Sequence, residues 1–314
     1  MDVSGYRAVE RRLWASVGVS PDERTVTLAR LGVDVRVQEL GEGQPVLFIH
    51  GGPNSGSTWA GVAAQMPGYR SLLLDRPGTG LSAAIRIGAD NLGEVAEVFV
   101  ADALDALGLE WAHVVGSSFG GFLALRSAAA APERFGRMVQ MACPAGAPGM
   151  GMPGFMKAMV TPGLGRLIAA LPPNERAGQM IFRQIGHGKS LDAGRIPQVF
   201  FDWYLAMQRH TDTMANETRM IRSLASVRAG WHPALSLDEG LLGRVATPTH
   251  FYWGADDPFG GLDIARQLAA SMPAAQLEMV PDAGHLPWLD DPACAAEAIG
   301  SFLQPTVATD QVSP

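Results

Sequence analysis

HVVGSSFGGF, residues 113–122, decides the fold. A β-branched run of the kind that builds a buried strand stops at Gly116, passes through Ser117 and Ser118, and meets Gly120 and Gly121 before the apolar sequence resumes at helical pitch. Glycine weakens regular structure, so three of them within residues 116–121 mark a tight turn or a close backbone approach. The stretch Gly116–Gly120 fits G-x-S-x-G between a strand and a helix. In that context the Ser118 hydroxyl is exposed on a strained turn at the carboxyl end of a sheet. The N–H groups opening the next helix point at the same spot and favour negative charge there.

Outward from this turn, one rhythm fills the first half of the chain. RTVTLARLG and VDVRVQEL, residues 24–40, form an expected opening hairpin. Strands follow at PVLFIHG (45–51), YRSLLLD (69–75), HVVGSS (113–118) and RMVQMACP (137–144), with helices expected from near Thr58, over 92–107 and over 119–131. Strands alternating with helices predict an α/β fold with a mostly parallel central sheet and helices on both faces. From Gly146 the rhythm breaks into a Gly-, Pro- and Met-rich stretch, and residues 174–228 read as helices without a strand. It resumes with PTHFYWG (248–254), a helix near 262–271, QLEMVPDAGH (276–285) and a last helix over 292–302. The expected organisation is therefore a core of residues 1–146 and 241–314 with a helical cap inserted at 147–240. The polar end, TVATDQVSP, reads as a frayed tail.

Composition narrows the class. The chain has 314 residues, enough for one large core, with 47% hydrophobic and 18% charged residues. A net charge of −7 without a Lys/Arg block speaks against nucleic acid as partner and for a small, largely uncharged molecule. No apolar run reaches the roughly 18 residues of a membrane span, and the first 14 residues carry acids and arginines where a secretory apolar core would lie. The expectation is a soluble cytoplasmic protein; a homodimer is compatible with the sequence. Cys143 and Cys294 lack metal-ligand spacing and are expected as two buried thiols, and no metal or other cofactor is expected.

A serine hydroxyl needs a base, and the base needs an orienting carboxylate. His285 is the one histidine after residue 250, just past an expected strand, and Asp256 and Asp257 close the preceding strand. Ser, Asp and His thus follow one another in the chain, each at a strand end. An oxyanion formed at Ser118 needs N–H donors, which Gly51 and Gly52 in FIHGGPN and Phe119 after the serine can supply, whereas Pro53 has none.

Taken together, HGGP at 50–53, DRPGTGLS at 75–82, the turn at 116–120, GADD at 254–257 and GH at 284–285 resemble the α/β-hydrolase superfamily along nearly the whole core. The resemblance implies Ser118 as nucleophile, His285 as base and Asp257 as orienting acid by the G-x-x-D pattern. It also implies Gly52 and Phe119 as oxyanion donors, a helical cap over the pocket, and structural roles for Asp75 and Ser82. Family members that attack alkyl carbons carry aspartate where this chain has Ser118, which leaves acyl transfer to water.

The expected activity is hydrolysis of carboxylic esters of small, largely apolar substrates through an acyl-enzyme. Carbon–carbon bond hydrolysis and proline-iminopeptidase-like aminopeptidase activity are alternatives on the same triad, and a non-catalytic ligand receptor is the alternative of another class. Asn54 and the Phe119 position depart from the iminopeptidase pattern, whose substrate amine would need a cap acid among Glu175, Asp202, Asp212 and Glu217. A carbon–carbon hydrolase would need a cap arginine among Arg183, Arg209, Arg219 and Arg222. The density of Met and aromatic residues in the cap suggests a pliable apolar pocket, with Gly51, Met156, Trp203, Trp231 and Trp288 as expected substrate contacts.

Overall fold

The structure, a computed structural model, describes residues 1–161, 163–165, 167 and 172–304; the expected frayed tail lies outside the described residues. Eight strands form one sheet in the order β1-β2-β4-β3-β5-β6-β9-β10. They are β1 (Asp22–Leu28), β2 (Val33–Leu40), β3 (Gln44–Ile49), β4 (Tyr69–Leu74), β5 (Ala112–Ser117), β6 (Phe135–Met141), β9 (Thr249–Gly254) and β10 (Ala275–Val280). The opening hairpin β1–β2 is antiparallel and β2 lies antiparallel to β4, while every other neighbouring pair is parallel.

Side chains alternate across these strands and both faces of the sheet are covered, which is why buried runs such as VLFI carry no polar face. Leu47 and Ile49 of β3, Leu72 and Leu74 of β4 and Val114 of β5 join one core with the helices Leu92–Leu107 and Phe119–Ala130. Val46, Phe48, Leu73 and Val115 point the other way, into a second core with the terminal helices Val3–Ser16 and Pro292–Leu303. Helices therefore cover both faces, and the fold class matches expectation.

Between β6 and β9 the described chain is mostly helical, with α-helices at Gly154–Val160, Glu175–Phe182, Gln198–His210 and Thr213–Leu224. One short ladder was not expected there: β7 (Ala225–Ser226) pairs antiparallel with β8 (Gly230–Trp231) and closes a turn after the last of these helices.

The first helix, Val3–Ser16, was not among the expected elements, although Asp2 caps it and Tyr6 and Leu13 share its buried face among charged neighbours. Its Glu10 is buried and paired with Arg36 at 2.5 Å, and Arg36 reaches Asp75 at 3.3 Å. Ser57 Oγ and the Tyr6 hydroxyl also donate to Glu10. A buried charge needs such partners, so these residues appear as a set. Among the described residues, no helix is long and apolar enough to cross a membrane.

Candidate active site

Four strand-end loops meet at the carboxyl edge of the sheet. The turn after β5 gives Ser118 φ 51° and ψ −117°, a conformation that L side chains rarely adopt and that pushes the hydroxyl out of the chain path. The flanking glycines are explained by contact. A Cβ at Gly120 would lie 2.1 Å from Ile49 O and 2.5 Å from His50 O, and one at Gly116 would lie 3.0 Å from Gly121 Cα. The first turn of the helix that begins at Phe119 can press directly on β3 and β5 only because glycine stands at 116 and 120.

The loop after β9 places Asp257, and the loop after β10 places His285. His285 Nδ1 and Asp257 Oδ2 are 2.8 Å apart, and both residues are buried. Asp257 is held in turn, since Oδ2 accepts from Cys143 N at 3.0 Å and Oδ1 from Phe259 N at 2.9 Å. A carboxylate so bonded keeps its orientation and imposes the Nδ1–H tautomer on His285, leaving Nε2 free to accept a proton. Neighbouring Asp256 instead pairs with Lys189 at 3.0 Å. The Phe259 ring packs on the imidazole at 4.4 Å. Ser118 and His285 open on the same cavity, of about 1060 Å³ with its mouth included. Among the described residues Ser118 Oγ has no hydrogen-bond partner; nucleophile–base bonds commonly tighten only when substrate is present.

The HGGP turn after β3 is braced from below. His50 accepts from Arg76 N through Nε2 at 3.2 Å, so its proton sits on Nδ1 and is donated to Gly51 O at 2.6 Å. Burial and the Arg76 charge hold the His50 pKa well below the usual histidine range, so the ring is neutral. Arg76 Nη2 also donates to Gly51 O at 3.1 Å. With this carbonyl committed to Arg76 and His50, the trans peptide aims the Gly52 N–H the opposite way. Phe119 N opens a helix, where first-turn N–H groups have no intrahelical partner. A Cβ at Gly51 would lie 2.8 Å from Ser118 Cβ, so the two expected donor turns adjoin the serine.

Of the expected substrate contacts, Gly51, Met156 and Trp231 line the cavity, as do Gly52 and Phe119. Trp203 and Trp288 do not, and the expectation for both is corrected. Trp203 is fully buried and its indole N–H donates to the Tyr6 hydroxyl at 3.2 Å, fastening the first helix to Gln198–His210. Trp288 stacks on Trp59 at 4.1 Å and donates to Thr58 O. Their indoles fill the core behind the site. The cysteines are corrected in part: Cys143 is buried on the cavity wall, where desolvation and Asp257 push its thiol pKa well up, but Cys294 is exposed.

Among the described residues no lysine or arginine lines the cavity, and the helical-region arginines lie elsewhere, Arg183 pairing with Asp192 and Arg209 donating to Pro173 O. Of the four acids considered, Glu217 alone reaches the cavity. It pairs with Arg76 at 2.8 Å, a partnership 141 residues apart that no local pattern announces.

Comparison with known proteins agrees with this architecture. The family profile for the alpha/beta hydrolase fold matches residues 44–292. The chain is 31% identical over 281 residues, 85% of this chain and 91% of the relative, to a 2-hydroxy-6-oxo-6-phenylhexa-2,4-dienoate hydrolase of Burkholderia cepacia. It is 30% identical over 261 residues, 80% of this chain and 84% of the relative, to a 2-hydroxy-6-oxononadienedioate/2-hydroxy-6-oxononatrienedioate hydrolase of Cupriavidus pinatubonensis. Among solved structures, the carboxylesterase CesB of Bacillus subtilis superposes with a TM-score of 0.71 at 20% identity, covering 95% of this chain and 96% of that one. On sequence and on fold, the chain belongs to the alpha/beta hydrolase family.

Proposed function

We propose that this protein is a serine hydrolase that cleaves a bond beside a carbonyl carbon, and that this bond is carbon–carbon, as the names of its sequence relatives suggest. The observation that carries the hydrolase reading is the Asp257–His285 pair at 2.8 Å opening with Ser118 into one largely apolar cavity. Ser118 Oγ attacks the carbonyl while His285 Nε2 takes its proton, and Asp257 stabilises the imidazolium that results. The tetrahedral oxyanion is held by the Gly52 and Phe119 N–H groups. On collapse, the bond to the leaving carbon breaks and that carbon takes the proton from His285. The departing electron pair requires delocalisation into a conjugated carbonyl, which a vinylogous diketone provides. Water then attacks the acyl-enzyme by the same proton route in reverse.

A second reading, ester hydrolysis of an uncharged substrate, is favoured by one observation: no described Lys or Arg lines the cavity to receive a substrate carboxylate. Side-by-side assay of 2-hydroxy-6-oxo-6-phenylhexa-2,4-dienoate and p-nitrophenyl butyrate, with Ser118→Ala as control, decides between them. Faster turnover of the dienoate supports carbon–carbon cleavage, and faster ester turnover replaces it with the second reading. No turnover of either, together with no labelling of Ser118 by a fluorophosphonate, would leave a non-catalytic receptor.

A further inference from the structure

Helix Thr213–Leu224 carries Glu217 into the cavity, where it is the one acidic side chain among the described lining residues. It is only 4% exposed. Its two oxygens differ. Oε1 accepts from Arg76 Nη2 at 2.8 Å, whereas Oε2 is buried with no hydrogen-bond partner among the described residues. A buried carboxylate oxygen left unsatisfied is uncommon in folded proteins and calls for an explanation.

The position of Oε2 supplies one. A Cβ at Gly52 would lie 1.9 Å from it, so the oxygen rests against the backbone of Gly52, while a Cβ at the preceding residue, Gly51, would touch Ser118 Cβ at 2.8 Å. The free oxygen therefore stands one residue along the turn from the serine. Arg76, paired to the other oxygen, already balances its charge. What Oε2 lacks is a hydrogen-bond donor rather than a second cation.

We propose that Glu217 Oε2 is a specificity-determining acceptor that takes a hydrogen bond from an uncharged hydroxyl carried a few bonds from the carbonyl that Ser118 attacks. This rests on the hydrolase reading for where that carbonyl lies. A carboxylate in the same place would meet an acceptor and be rejected, so the site discriminates by sign as well as by shape. An analogue lacking the donor leaves the buried oxygen unpaired.

The test is binding of ketones that cannot be hydrolysed at the site, read by calorimetry, so that it does not depend on turnover. Wild-type protein should bind 2-hydroxyacetophenone about tenfold tighter than acetophenone or 2-methoxyacetophenone, neither of which has a donor. In Glu217→Gln the amide can still accept from Arg76 while turning a donor towards the ligand, which a hydroxyl and a methoxy oxygen accept alike, so the preference for 2-hydroxyacetophenone over 2-methoxyacetophenone should collapse. Equal wild-type affinities for the three ketones would overturn the proposal. So would a Glu217→Gln protein that keeps the preference for 2-hydroxyacetophenone over 2-methoxyacetophenone, because the carboxylate would then only hold Arg76. Inactivity of wild type towards esters and dienoates would sink the hydrolase reading and leave this measurement standing.

Discussion

His187 Nδ1 donates to Asp290 Oδ1 at 2.9 Å, and this buried pair clamps the residues on either side of His285. Leu286 N donates to His187 Nε2 at 3.1 Å and Gly284 N to Asp290 Oδ2 at 2.9 Å, while His285 N itself donates to Ile185 O at 2.8 Å. Three successive amides are thus tied to the helical region or to its partner. Gly186, at φ 97°, makes the approach feasible, since a Cβ there would strike Asp256 O at 2.3 Å. The imidazole proposed as base is held by its own backbone as well as by Asp257.

Asp290→Ala should leave the Gly284 N–H, the Ser190 hydroxyl and His187 Nδ1–H without their acceptor. The expected cost is about 3 kcal/mol, read as a lower urea midpoint. With the loop loosened, kcat should fall more than KM rises. An unchanged midpoint would show that the clamp carries no weight.

Asp257→Asn should lower kcat by about 10⁴-fold, because an amide facing His285 Nδ1 can donate and so favours the wrong tautomer. Circular dichroism should remain that of the wild type. A variant within tenfold of wild-type turnover would remove Asp257 from the mechanism.

Gly120→Ala and Gly121→Ala separate two kinds of close approach. At position 120 the new methyl meets backbone carbonyls at 2.1 and 2.5 Å, which cannot withdraw without moving β3, and the loss should exceed about 3 kcal/mol. At position 121 it meets the Gln140 side chain at 2.3 Å, which can rotate, for a loss of about 1–3 kcal/mol. Urea denaturation of the two should rank them in that order; the reverse ranking would contradict the packing described at the turn.

Burial holds the pKa of His50 and His250 below the usual histidine value, and that of His113 at about 4. Because the folded values are depressed, the unfolded chain binds these protons first as pH falls. The stability these neutral rings confer is present above about pH 6.5 and lost below it. For His50, fully buried, the loss approaches about 1.4 kcal/mol per pH unit. Urea midpoints should therefore drop between pH 7 and pH 5, before the lowered carboxylates Glu23 and Glu39 titrate. A midpoint constant over that interval would mean that the rings are charged in the folded protein.

Local patterns carried much of this fold. The helix expected over 92–107 is observed at Leu92–Leu107, and the turn at Ser118 follows a strand and opens a helix as its glycines implied. Serine, aspartate and histidine could be assigned to strand ends because strand period and turn residues are properties of neighbouring positions. Tertiary structure alone decided the rest. Trp203 and Trp288 have the composition of pocket walls but are fully buried behind the site, because which face of a helix meets the cavity depends on how the helix is docked. Glu10 is buried because Arg36, 26 residues on, covers it. Glu217 finds Arg76 across 141 residues and His187 finds Asp290 across 103, and no periodicity spans such gaps. A sequence records what each short segment prefers; which buried charges become partners is settled when segments pack and water is excluded between them.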